Sequence, residues 1–224
     1  MTGSDDRALT DSLIGLTFAT GLVDAVSFLG LGHIFTANMT GNVVLLGFAL
    51  GGAAGFSIPA LLTSMGAFVV GATLGGRAIV HLSRDRPRWL TVAFGAEAVL
   101  VGVAGLLAIG LDIDPSGARH YAVIAALALA MGVRNATVRR LAVPDLTTTV
   151  LTMTVTGLAV DSRPAGSAAI RPWRRFAAVA AMLLGALAGA LMIDTSLALP
   201  LAAAAVIALI PLVPVRRRGA AAPA

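Results

Sequence analysis

The chain has 224 residues, 58% of them hydrophobic and only 12% charged, with a mean hydropathy of +0.91. Soluble domains carry about 25% charged residues, so this composition excludes an ordinary soluble domain and indicates an integral membrane protein. All sixteen basic residues are Arg; the net charge of +5 and the pI near 11.4 come from Arg beside apolar runs, with no polar domain to present them to nucleic acid, which argues against that partner.

The first eleven residues, with Arg7 set against Asp5, Asp6 and Asp11, lack the basic start of a secretory signal, and the apolar run after them is too long for a signal core. They are predicted to form a tail ahead of a retained membrane helix. Eight apolar segments follow, at 12–32, 34–53, 57–80, 89–111, 119–140, 143–160, 173–193 and 195–215. None shows the period-two alternation of an outer-membrane barrel, so all read as helices. A full span needs about 20 residues; segments 34–53 and 143–160 are marginal and broken by polar residues.

Arg distribution chooses between eight spans and six. If the two marginal segments enter and leave by the same face, fourteen of the sixteen Arg residues fall on one side, leaving Arg119 outside and Arg134 within the membrane. Trp89 and Trp173, each beside a Pro and an Arg, then share that interface. The expected fold is all-α: six transmembrane helices in two inverted three-helix halves, 12–111 and 119–215, each with a short re-entrant or broken polar element, followed by a tail at 216–224. Both tails are expected in the cytoplasm of a bacterial cell, with the domain in the inner membrane. A weak internal likeness agrees. At a separation of 111, Gly21-Leu22-Val23-Asp24-Ala25 faces Gly132-Val133-Arg134-Asn135-Ala136, and Phe35-Thr36 faces Leu146-Thr147.

The run Gly21-Leu22-Val23-Asp24-Ala25-Val26-Ser27-Phe28, followed by Phe35-Thr36-Ala37-Asn38-Met39-Thr40-Gly41-Asn42, resembles the signature of the YoaK-like family of bacterial membrane proteins. The resemblance implies one domain over residues 10–215 with about six membrane helices. It implies no activity, substrate or cofactor.

Asp24 lies near the centre of the first span, where an ionisable group is costly unless paired or hydrated and is a functional candidate by default. Arg134 occupies the matching region of the fifth segment, and an Asp24–Arg134 pair near the midplane is expected, either lining a solute site or only fixing helix packing. Glu97, the only Glu in the chain, is placed a third of the way along 89–111, with no visible partner, as a proton relay or a solvated side chain. Thr36, Asn38, Thr40, Gly41 and Asn42, together with Asn135, Thr147, Thr149, Thr152 and Thr156, are candidates for contacts with a solute; the alternative is that they glue helices or close backbone where a helix breaks. Asp145, after Pro144, reads as a helix N-cap.

If each polar element returns as a half-helix starting near the midplane, two positive dipole ends point at the centre, which suits an anion or a polar neutral solute. Gly71 and Gly75, and Gly185 and Gly189, form GxxxG pairs that allow close helix contact, within the chain or in a homo-oligomer. Enzyme motifs are missing, and His33, His81 and His120 are scattered with poor metal-ligand spacing, so no enzyme, metal or cofactor is expected. The predicted function is a small-solute transporter or channel in the lipid bilayer; the alternative is a non-transporting scaffold or sensor.

Overall fold

In a computed structural model, residues 3–82, 85–110, 117–141, 154–156 and 172–212 are described. Helix α1 (Gly3–Ala25) passes directly into a π-helical turn, Val26–Gly30. The His33 N–H donates to the Phe28 carbonyl at 3.1 Å, and the chain then reverses through Gly32 (φ 85°) and His33 (φ 58°). Helix α2 (Met39–Leu50) starts at Asn38, whose side chain accepts from the Gly41 N–H at 3.2 Å as an N-cap. Its 12 residues reach about 18 Å, against about 30 Å of hydrocarbon. It is too short to cross.

A glycine-rich turn containing Gly52 (φ 84°) and Gly55 (φ 88°) leads to α3 (Ile58–Leu82). Asn42, in the first turn of α2, meets Ser64 of α3, and Phe48 meets Phe56 just ahead of α3, so α2 and α3 form an antiparallel hairpin. Helix α4 (Arg86–Leu107) is capped by Asp85, which accepts from the Arg88 N–H at 3.0 Å, with Pro87 in its first turn where a missing N–H costs nothing. Helices α5 (Ala118–Leu141), α6 (Pro172–Ile193) and α7 (Ala198–Ala208) complete the described elements.

Among the described residues five helical stretches are long and apolar enough to cross a membrane: Asp11–Gly30, Ile58–Leu82, Pro87–Leu107, Ala118–Leu141 and Trp173–Ile193. Sequence predicted a sixth over 195–215, but α7 is regular for only 11 residues. Pro211 supplies the physical reason: it has no N–H to donate and disfavours the helical region at Ile210. Within the spans Thr17, Thr20, Thr73, Thr91 and Thr137 each return their hydroxyl to the carbonyl four residues back, satisfying it where lipid offers no partner. Val69, Val70, Leu183, Leu187 and Leu191, on α3 and α6, present apolar side chains outward.

Helix directions follow from which residues meet. A Cβ on Gly71 would strike Leu129, and one on Gly75 would lie 3.1 Å from Val133, so α3 and α5 run parallel. A Cβ on Gly185 would strike Phe18, and one on Gly189 would lie 3.2 Å from Leu22, so α1 and α6 run parallel too. Gly30 meets Leu197 while Gly15 meets Ile207, making α7 antiparallel to α1. Gly105 meets Leu201, and one apolar cluster joins Leu90, Phe94 and Ala208, so α7 is also antiparallel to α4. The same cluster joins Trp89 and Leu90 to Val138, which makes α4 antiparallel to α5.

The starts of α1, α4 and α6 and the ends of α3, α5 and α7 therefore share one end of the molecule. Arg7, Arg77, Arg86, Arg88, Arg139, Arg140, Arg174 and Arg175 lie at that end, as do both Trp residues; among the described residues only Arg119 is at the other end. Arg119 donates there to the Ile109 carbonyl, tying the start of α5 to the end of α4.

Candidate functional site

The centre of the helix bundle carries charge. Glu97 is the middle residue of the span Pro87–Leu107, rather than a third of the way along it, because α4 ends at Leu107 instead of near 111. Arg134 reaches it from α5: its Nε donates to Glu97 Oε1 at 2.8 Å, and its Nη2 donates to the same oxygen. The other guanidinium nitrogen, Nη1, donates to Thr20 Oγ1 at 2.6 Å and to the Leu16 carbonyl at 3.0 Å, both on α1. One side chain thus clamps three helices. Arg134 and Glu97 are 2% and 0% exposed, so their charges are held away from solvent by the protein itself.

The pair expected between Arg134 and Asp24 is therefore replaced by one between Arg134 and Glu97. The two sites are nonetheless adjacent. Asp24 is one helical turn beyond Thr20, the anchor of Arg134, on the same face of α1. Asp24 is buried, and its Oδ1 has no hydrogen-bond partner; Glu97 Oε2 has none either. The π turn begins two residues after Asp24, and Ser27 within it donates to the Asp24 carbonyl at 3.2 Å. Single π turns inside α-helices often mark functional positions.

The polar stretch 36–42 divides into two faces. Thr36 and Asn42 are fully buried, while Asn38 and Thr40 are exposed and Gly41 is half-buried. Asn42 Oδ1 accepts from the Phe35 N–H at 2.8 Å, and its Nδ2 donates to the Phe35 carbonyl at 2.6 Å and to Ser64 Oγ at 3.2 Å. Ser64 Oγ donates to that carbonyl as well, at 2.6 Å. These bonds close the backbone of an irregular segment lying against α3. Thr36 Oγ1, by contrast, is buried without a partner.

Asn135, half-buried, donates to the Met131 carbonyl at 2.8 Å. Thr156 is exposed on a helical turn at 154–156; Thr147, Thr149, Thr152 and Asp145 lie outside the described residues. Gly71 and Gly75 seat against α5, and Gly185 and Gly189 against α1, as given above. Among the described residues no group of three His, Asp or Glu gathers in a way that could hold a metal ion. Sequence reasoning missed the role of Glu97 as the partner of Arg134. The sequence showed only that both are lone charges inside neighbouring apolar segments, which does not choose Glu97 over Asp24.

A chain with five long apolar helices packed around a buried ion pair is a multi-pass α-helical membrane protein. It belongs to the family of proteins of unknown function DUF1275, which it matches over residues 12–213. It is 32% identical over 162 residues, 72% of this chain and 69% of the relative, to the UPF0700 transmembrane protein YoaK of Bacillus subtilis (strain 168). No solved structure matches it.

Proposed function

We propose that this protein is a small-solute transporter or channel of the bacterial inner membrane, with its polar site around Asp24, Glu97 and Arg134. The observation that carries the reading is the Asp24 carboxylate, buried among apolar helices with Oδ1 unpartnered beside an ion pair that already has its own acid. A protein selected only for packing gains nothing from an acid at that depth, which costs several kcal/mol on insertion scales (about 2.5–3.5). An open carboxylate oxygen is what a solute or ion would meet.

The architecture we propose is six spans in two inverted halves, with both termini cytoplasmic; α7, by itself as short as α2, is taken as the sixth because it runs along α1 from Gly30, against Leu197, to Gly15, against Ile207. The helix directions support it: α1, α3 and α4 alternate, and α5, α6 and α7 repeat the alternation starting from the opposite end. Reciprocal contacts support it too. Gly21 faces Met182, Gly185 and Ala186 on α6, while Gly132 faces Phe68, Gly71 and Ala72 on α3. Each half thus places its first helix against the GxxxG helix of the other. The Arg-rich end is the cytoplasmic one by the positive-inside rule. On this reading α2 is re-entrant: the chain dips in irregularly, turns at Asn38 and returns as a short helix. Its start is level with Ser64, about 9 Å along α3 at 1.5 Å per residue. That is shallower than the midplane and leaves Asp24, Glu97 and Arg134 as the central groups.

The reading of 36–42 as structural glue is favoured at Asn42, whose bonds to Phe35 and Ser64 leave it little free for a solute. The scaffold alternative gains from this at that segment only. Purified protein in liposomes, screened for flux of anions, cations and neutral metabolites, tests the proposal. Flux of one class that Asp24→Asn abolishes supports a transporter; no flux of any class supports the scaffold.

A further inference from the structure

The central cluster holds two carboxylic acids and one guanidinium, and that imbalance has a chemical consequence. Arg134 directs two of its nitrogens to Glu97 Oε1 and the third to Thr20 and the Leu16 carbonyl, and none of its bonds goes to Asp24 Oδ1, which is buried without a partner. Among the described residues the packed helices bring no other charge to that depth. Besides Glu97, α4 has Arg86 and Arg88 in its first turn; besides Arg134, α5 has Arg119 and His120 at one end and Arg139 and Arg140 at the other. Arg174 and Arg175 are in the first turn of α6, Arg77 and His81 are toward the end of α3, and α2 and α7 carry none. With both acids ionised, the cluster has an uncompensated negative charge in an apolar interior, which is strongly disfavoured.

We infer that Asp24 is a proton-binding site, carrying the proton that neutralises the cluster while Glu97 stays ionised against Arg134. The second observation is geometric. Arg134 is anchored to α1 at Thr20, one turn before Asp24 on the same face, so on this inference a rotation of its side chain would turn the guanidinium from Glu97 toward Asp24. When Asp24 releases its proton, its new negative charge draws Arg134 away from Glu97. Glu97 then takes up a proton, and the cluster is again neutral. Two near-equivalent arrangements of one cation between two acids make a switch that a proton drives, and its place at the junction of α1, α4 and α5 ties it to movement of those helices. This rests on the transport reading only for what the proton does, and not for its binding.

Glu97 is the only Glu in the chain, so isotope labelling of glutamate addresses a single residue. Infrared difference spectra are recorded on the wild-type protein in liposomes across a pH titration, unlabelled, with carboxyl-¹³C glutamate and with carboxyl-¹³C aspartate. The expected result is a protonated-carboxyl band of an apolar environment that shifts with labelled aspartate and not with labelled glutamate at low pH, and that is lost in Asp24→Asn. A band that shifts with the glutamate label at low pH places the proton on Glu97 and overturns the assignment. Absence of any titrating protonated band, or a carboxyl signal that follows Na⁺ at fixed pH, overturns it as well. Should Asp24→Asn fail to fold, Asp24→Glu serves instead: the band then shifts with the glutamate label, which it does not do in wild-type protein, and a band that still follows only the aspartate label overturns the assignment. A titrating aspartate band without flux in liposomes would retain the proton site and reject the transporter.

Discussion

Arg134 on α5 and Glu97 on α4 are joined through Nε and Oε1 at 2.8 Å, with both side chains buried. Removing either partner alone is predicted to cost more than removing both. Arg134→Gln leaves Glu97 and Asp24 without a cation and should be the most damaging, by about 3–5 kcal/mol, the range for breaking a buried pair. Glu97→Gln leaves Arg134 its bonds to Thr20 and Leu16 and should cost less. The double change should be milder than Arg134→Gln alone, as read by unfolding in detergent through a double-mutant cycle; simple additivity would mean the two are not coupled.

The close helix crossings make a sharper test, because the same substitution should have opposite effects at different glycines. A methyl group at Gly21, Gly71, Gly132 or Gly185 would run into the backbone of the facing helix. Gly→Ala at these positions is expected to destabilise by about 1–3 kcal/mol, the usual cost of overpacking. At Gly66, Gly76, Gly95 and Gly102 nothing lies within 4 Å, so alanine there should be neutral or stabilising by about 0.5–1 kcal/mol. Thermal unfolding of the eight single variants separates the two groups.

In the stretch 36–42 the structural share can be measured residue by residue. Asn42→Leu leaves the Phe35 N–H without its acceptor and should cost about 1–3 kcal/mol. Asn38→Ala removes the cap of α2 and should cost about 1 kcal/mol. Thr40→Ala, on an exposed side chain, should leave stability unchanged. If Thr40→Ala nonetheless lowers flux, its role is contact with the solute.

Topology is open to the same chemistry because the chain has no cysteine. Single cysteines at Ala53, in the α2–α3 turn, and at Ile109, at the end of α4, are predicted to react with impermeant thiol reagents from one and the same face of the membrane. A cysteine at Asp85 should react only from the opposite face. Reaction of positions 53 and 109 from different faces would mean that only one of α3 and α4 crosses, and would overturn the six-span arrangement.

Much of this fold was legible in the sequence. The apolar runs of α1, α3, α4, α5 and α6 stand out because lipid demands about 20 uninterrupted apolar residues. Asp85 before Pro87 and Ser57 before Ile58 mark helix starts by ordinary capping chemistry. The partner of Arg134 was not legible, since choosing Glu97 over Asp24 depends on the register of α4 against α5, and composition does not encode register. Repeat logic pointed to Asp24, which sits at the position matching Asn135 and only one turn from the guanidinium's anchor at Thr20. The π turn at Val26–Gly30 was equally hidden, because nothing in Val-Ser-Phe-Leu-Gly distinguishes it from α-helix. The shortness of α7 could have been read from Pro211, but the apolar run continuing past it outweighed the break.

The most direct test of the central claim is whether water reaches Asp24. With Asp24→Cys in the naturally cysteine-free chain, reconstituted in liposomes, small hydrophilic thiol reagents are applied from each side, with Gly52→Cys as an exposed control. The account predicts modification at position 24 from at least one side, slowed by the solute that the protein moves. A cysteine at position 24 that stays unmodified from both sides while position 52 reacts would show a sealed seam, and would contradict it.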